Sequence, residues 1–112
     1  MVVKFNFNYK NKRINLDVLE CNQTISKMTG LMFKKNSPPL LFSFQKPTKL
    51  SIHSFFCKPF IAIWFLGNQI VDIKAIKTNQ LSIKPKEKFD KLLEIPKNCK
   101  EYRIFTDEGR NI

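Results

Sequence analysis

Hydrophobic and polar residues alternate without a break at the start of the chain. Val3, Phe5, Phe7 and Tyr9 fall on one side, and Lys4, Asn6 and Asn8 on the other. A period of two is that of a half-buried strand. "KNKR" is a turn, after which Ile14, Leu16 and Val18 alternate again, so residues 2–20 predict a hairpin. The period then changes. Ile25, Met28 and Leu31 repeat every three residues behind Thr24, which predicts a short helix over Thr24–Phe33, capped by Thr24 and loosened at Gly30. "KKNSPP" cannot continue it, because the residue before each proline is pushed into extended geometry.

Strand patterning returns at Leu40, Phe42 and Phe44, followed by "QKPTK" as a turn. From Leu50 onward, Leu50, Ile52, Ser54 and Phe56 are expected inward, and Ser51, His53, Phe55 and Cys57 outward, up to a break or bend at Pro59. "FIAIWFL" is apolar at every position, which predicts a central strand covered on both faces. "GN" turns it into "QIVDIKAI" as an antiparallel partner. "KTNQLSIKPKEK" is a loop, "FDKLLEIP" fits helix or strand, and "NCKEY" is a short helical turn. Many short strands with one or two short helices predict a mainly β fold, a small barrel or sandwich.

Length and composition narrow the class. The chain has 112 residues, room for a single domain spanning 1–112. The apolar share of 43% is enough to build one core, so composition does not point to disorder. Three widely spaced cysteines, Cys21, Cys57 and Cys99, form neither a disulfide framework nor a zinc motif, and suit a reducing compartment. The start shows no leader pattern, and the longest apolar run, Phe60 to Leu66, falls far short of the ~20 residues of a membrane helix. A cytoplasmic protein without a membrane span is expected.

The net charge of +11 raises a nucleic-acid or other anionic partner. The lysines are scattered rather than clustered. The three arginines, Arg13, Arg103 and Arg110, fall at a turn, a strand near the chain end and the tail. Sequence readout needs rigidly held side chains in a groove, so any nucleic-acid binding is expected to be weak and nonspecific.

Four segments occur in a recognisable order: "GLMFKK" (Gly30 to Lys35), "LLFSF" (Leu40 to Phe44), "SIHSFFCKPFIAIWFLGNQIV" and "LLEIPKN" (Leu92 to Asn98). Together they resemble the domain of unknown function number 192 family, and the Ile-His-x-Phe-Phe form of the third is similar to archaeal members. The resemblance spans a core of 24–105, with the hairpin 2–20 fitting less distinctively. It implies a compact barrel-like or jelly-roll-like domain with "FDKLLEIP" as a strand, and no established reaction. Ile61 stands where the family typically has an aspartate, so a polar pocket built on that aspartate would lack a wall. "DEGRN" supplies Asp107, Glu108 and Gly109 near the family's closing Gly-Asp pair.

The candidate chemistry is sparse. His53 and Cys57 share an expected strand face, but four residues of strand span ~13 Å. A nucleophile and its base need ~3 Å. No catalytic residue, metal site or cofactor is therefore expected. Glu94 and Asp72 alternate with apolar neighbours and are expected to point outward. Lys34 suits the C-terminal end of the short helix, or could hold an anionic group. His53, Phe55 and Lys58 could form a small binding patch, with the alternative that His53 is plain surface. The expected role is a non-catalytic binding or accessory domain. The alternatives are nonspecific nucleic-acid binding, and an enzyme or small-molecule binder with a pocket near His53.

Overall fold

The hairpin closes on two residues rather than four. In the computed structural model, which describes residues 2–21, 36–54 and 57–106, β1 (Val2–Tyr9) and β2 (Lys12–Cys21) pair antiparallel with Tyr9 opposite Lys12. Lys10 and Asn11 both take positive φ, 48° and 65°, the geometry whose twist matches a two-residue hairpin. Lys12 and Arg13 thus belong to β2.

β3 is Leu40–Thr48, β4 Phe60–Leu66, β5 Gln69–Ile76 and β6 Phe89–Pro96, followed by a 3-10 helix over Lys100–Phe105. They form one sheet in the order β1-β2-β3-β6-β4-β5. Only β2 and β3 run parallel, over Leu19–Cys21 and Leu40–Phe42. Strands make up 58% of the described residues and helix 7%, so the mainly β expectation holds, as a curled half-barrel in a single compact domain.

Two apolar layers cover the sheet. On the concave face Phe5 and Phe7 of the outermost strand each reach Phe65 of β4, edge-on with centroids 5.3 Å apart. That contact is the curl. Phe105 of the 3-10 helix closes the end, stacked on Phe7 and 4.7 Å from Tyr9. Ile61 is buried in this layer.

On the other face Leu40, Phe42, Ala62, Trp64 and Leu92 lie beneath the described residues of the segments 49–59 and 77–88, packed with Ile52, Cys57 and Ile83. As expected, "FIAIWFL" is buried on both faces; only its last residue, Leu66, is exposed. Gly67, at φ 62°, turns β4 into β5, and its N–H is taken by the Asp90 carboxylate at 3.1 Å. "FDKLLEIP" is the strand β6.

Several expectations need correction. The stretch around His53 is not a strand; it contributes one isolated bridge, Ile52 to Ile83. Ser54 N–H bonds Gln80 O, and Cys57 N–H then bonds Ser54 O, so the chain folds back and the period of two ends there. Leu50, expected inward, is exposed, and Cys57, expected outward, is buried. "QKPTK" lies largely inside β3, which runs on to Thr48 across a register shift that accommodates Pro47. The expected helix Thr24–Phe33 lies outside the described residues.

Candidate functional site: a buried acid and an open groove

The largest correction concerns Glu94. It does not point outward but is 3% exposed. Its strand is the sixth in chain order yet central in the sheet, held between β3 and β4 and covered on both sides. Glu94 stands in register between Leu40 and Ala62. Among the described residues no cation and no hydrogen-bond donor meets its carboxyl group. Burial pushes its pKa up to about 8, so the group is a neutral carboxylic acid at pH 7.

Cys57 lies in the same layer. Its thiol is pushed up to about 11, by burial first and then by the charge Glu94 would carry. The thiolate is the nucleophile, so this cysteine is inert at neutral pH. Trp64 completes the layer. It is fully buried, its indole N–H meets no hydrogen-bond partner among the described residues, and the Lys74 ammonium lies 6.0 Å from the ring centroid. A neutral acid titrating near 8 has the right pKa for proton transfer. Its enclosure keeps it from a substrate.

Ser54 organises the covering segments. Its hydroxyl donates to Lys77 O and accepts from Gln80 N–H at 2.7 Å, and its carbonyl accepts from Cys57 and Asn79 N–H. His53 is half-buried beside it, and Lys58 is exposed. Phe55 and Lys34 lie outside the described residues. Since the chain turns at Ser54, His53 and Cys57 share no strand face. Among the described residues no cluster of three metal-binding side chains occurs. Asp72 is half-buried and accepts the Lys86 N–H at 3.0 Å, fastening the 77–88 segment to β5.

The described surface carries a second feature. Two adjoining depressions, of about 300 and 380 Å³, follow β2 from Arg13 to Asp17. Their shared residues are Asn15 on β2 and Lys100 and Glu101 on the 3-10 helix. Lys4, at one end, is ion-paired to Asp17 at 3.0 Å. None of these residues stands out in the sequence, because the groove comes from the sheet order. Glu94 did leave a signal: "LLEI" is apolar on both sides of the acid, the pattern that marked β4 as central.

No known family model matches the chain, and no curated protein matches it. Two crystal structures share the fold. One is a protein of unknown function from Novosphingobium aromaticivorans, 14% identical, with a TM-score of 0.74 over 87% of this chain and 74% of that one. The other is a provisionally assigned transcription regulator from Sinorhizobium meliloti, 16% identical, with a TM-score of 0.70 over 81% and 76%.

Proposed function

We propose that the protein is a non-catalytic binding domain of the cytoplasm that engages an anionic partner through its basic surface. One observation carries the reading: the reactive groups are sealed and the cations are not. Glu94 and Cys57 hold their protons inside the apolar layer, whereas Lys12, Arg13, Lys46, Lys49, Lys58, Lys77, Lys86 and Lys97 are all exposed. Among the described residues only Lys4 and Lys91 form ion pairs with carboxylates. The positive field therefore stays largely unneutralised and attracts polyanions. The resemblance to the domain of unknown function number 192 family, which implies no reaction, agrees with a binding role.

A second reading, weak and nonspecific nucleic-acid binding, is supported by the likeness to a provisionally assigned transcription regulator. The test of both is fluorescence anisotropy with several unrelated DNA and RNA oligomers and with polyglutamate, at two salt concentrations. Micromolar or weaker binding that falls steeply with salt is expected. A single oligomer preferred about a thousandfold would make the protein a specific reader. No binding of any polyanion at low salt would refute the anionic-partner reading.

A further inference from the structure

Among the described residues β2 is paired along most of one edge and along only a short part of the other. It pairs with β1 from Lys12 to Leu19, but with β3 only from Leu19 to Cys21. In an antiparallel pair, hydrogen-bonded and non-hydrogen-bonded positions alternate, and a two-residue turn makes its closing pair, Tyr9 and Lys12, hydrogen-bonded. Ile14, Leu16 and Val18 therefore bond back to β1. Arg13, Asn15 and Asp17 direct N–H and C=O to the opposite edge. Leu19, next in that series, shows the direction: its N–H reaches Pro39 O at 2.8 Å. No β3 residue stands opposite the three before it.

The groove lies along this stretch. Its strand wall offers three residues whose outward backbone groups meet no partner among the described residues, with Ile14 and Leu16 between them, and its far wall is Lys100, Glu101 and Ile104. We propose that this edge docks an extended acidic peptide of a partner protein, which adds to the sheet as a strand beside β2. The proposal rests on the anionic-partner reading and gives it a place and a partner class. An exposed edge with free main-chain groups is a template for strand addition, and alternate side chains then set the specificity. From Arg13 to Asp17 the edge spans ~13 Å, about five residues of peptide. The charges choose its sign. Asp17 is already satisfied by Lys4, which leaves Arg13 and Lys100 against Glu101 alone. A second copy of this chain is disfavoured, because two molecules of net charge +11 repel.

The probe is a labelled peptide of about seven residues alternating Glu and Val, long enough to cover the edge. It is measured by anisotropy against the full chain. A second peptide carries backbone N-methyl groups at alternate residues, so its charge is unchanged but one ladder of N–H groups is gone. The variants are Asn15→Pro, Lys100→Glu and, as a control outside the groove, Lys58→Glu. Asn15→Pro removes an N–H directed to the open edge rather than to β1, where proline is tolerated.

N-methylation in the register that faces β2, Asn15→Pro and Lys100→Glu are each expected to weaken binding about tenfold, the worth of one good hydrogen bond or ion contact, and Lys58→Glu less than about twofold. Amide exchange guards against misfolding of the proline variant: in the wild type, peptide should slow exchange at Arg13, Asn15 and Asp17. Equal binding of the N-methylated peptide in both registers, unchanged exchange at these amides, or full displacement by duplex DNA with no loss in Asn15→Pro would overturn the proposal. So would a wild-type dimer that Asn15→Pro disperses. If polyglutamate binds but the alternating peptide gains nothing from the edge, the docking site fails and the anionic reading stands; if no polyanion binds, both fail.

Discussion

Replacing Glu94 with glutamine should flatten a pH dependence that this one residue imposes. The native state keeps the Glu94 proton up to about pH 8, whereas the unfolded chain releases it near the ordinary value of 4.5. Between those values the unfolded state binds fewer protons, so stability is greatest below pH 4.5 and falls as pH rises through 8. Each factor of ten in proton affinity is worth ~1.4 kcal/mol, which makes the full span roughly 5 kcal/mol and the part between pH 5 and 8 about 3–4 kcal/mol. Glutamine keeps the shape and never ionises. Urea unfolding followed by Trp64 fluorescence, at four pH values from 5 to 8, measures the difference. With a slope of about 1.5 kcal/mol/M, the wild-type midpoint should drop ~2 M further than that of Glu94→Gln. Parallel midpoint curves for the two proteins would show that the carboxyl is solvated and ionised in the native state, and the reasoning would fail.

Three further outcomes follow from the same layer and its supports. Cys57 should resist iodoacetamide in the native protein and react only on unfolding, read by mass spectrometry; fast native labelling of Cys57 would contradict its burial and raised pKa. Trp64, the single tryptophan, should emit as a buried indole and escape iodide quenching, and a quenchable, long-wavelength emission would place it outside the core. Gly67→Ala should cost ~1 kcal/mol in chemical denaturation, because an added Cβ meets nothing within 4 Å but the left-handed φ of 62° remains; no loss would mean that the turn relaxes.

The strands were legible wherever one face or both faces decided the side chains. Val3, Phe5, Phe7 and Tyr9 all line the concave layer, as their period of two requires, and the all-apolar run of β4 marked a strand with no wet side. The segment 49–59 was misread because an alternating pattern also fits a chain whose described residues touch the core at Ile52, Ser54 and Cys57 without forming a strand. What ends its period is the Ser54–Cys57 turn, set by long-range bonds to Lys77 and Gln80. Glu94 was misread because a lone acid in a strand is usually solvated, although the apolar residues on both sides of it in "LLEI" fit the central place that the sheet order gives β6. The groove was invisible in the sequence. It exists because β2 meets β3 only over its last three residues, a fact of topology that no local pattern carries.

The position of β6 has a further consequence, for how the protein assembles. β3 and β4 follow each other in sequence but do not pair; each pairs with β6, the last of the described strands to leave the ribosome. Until Phe89–Pro96 arrives, the chain holds two half-sheets with nothing to join them, and the edges awaiting the missing strand are Leu40–Phe42 and the wholly apolar Phe60–Phe65. Such edges are the ones that recruit neighbouring chains. Folding should thus be all-or-none. A nascent chain stalled before Phe89 should be a substrate for chaperones rather than a partial domain.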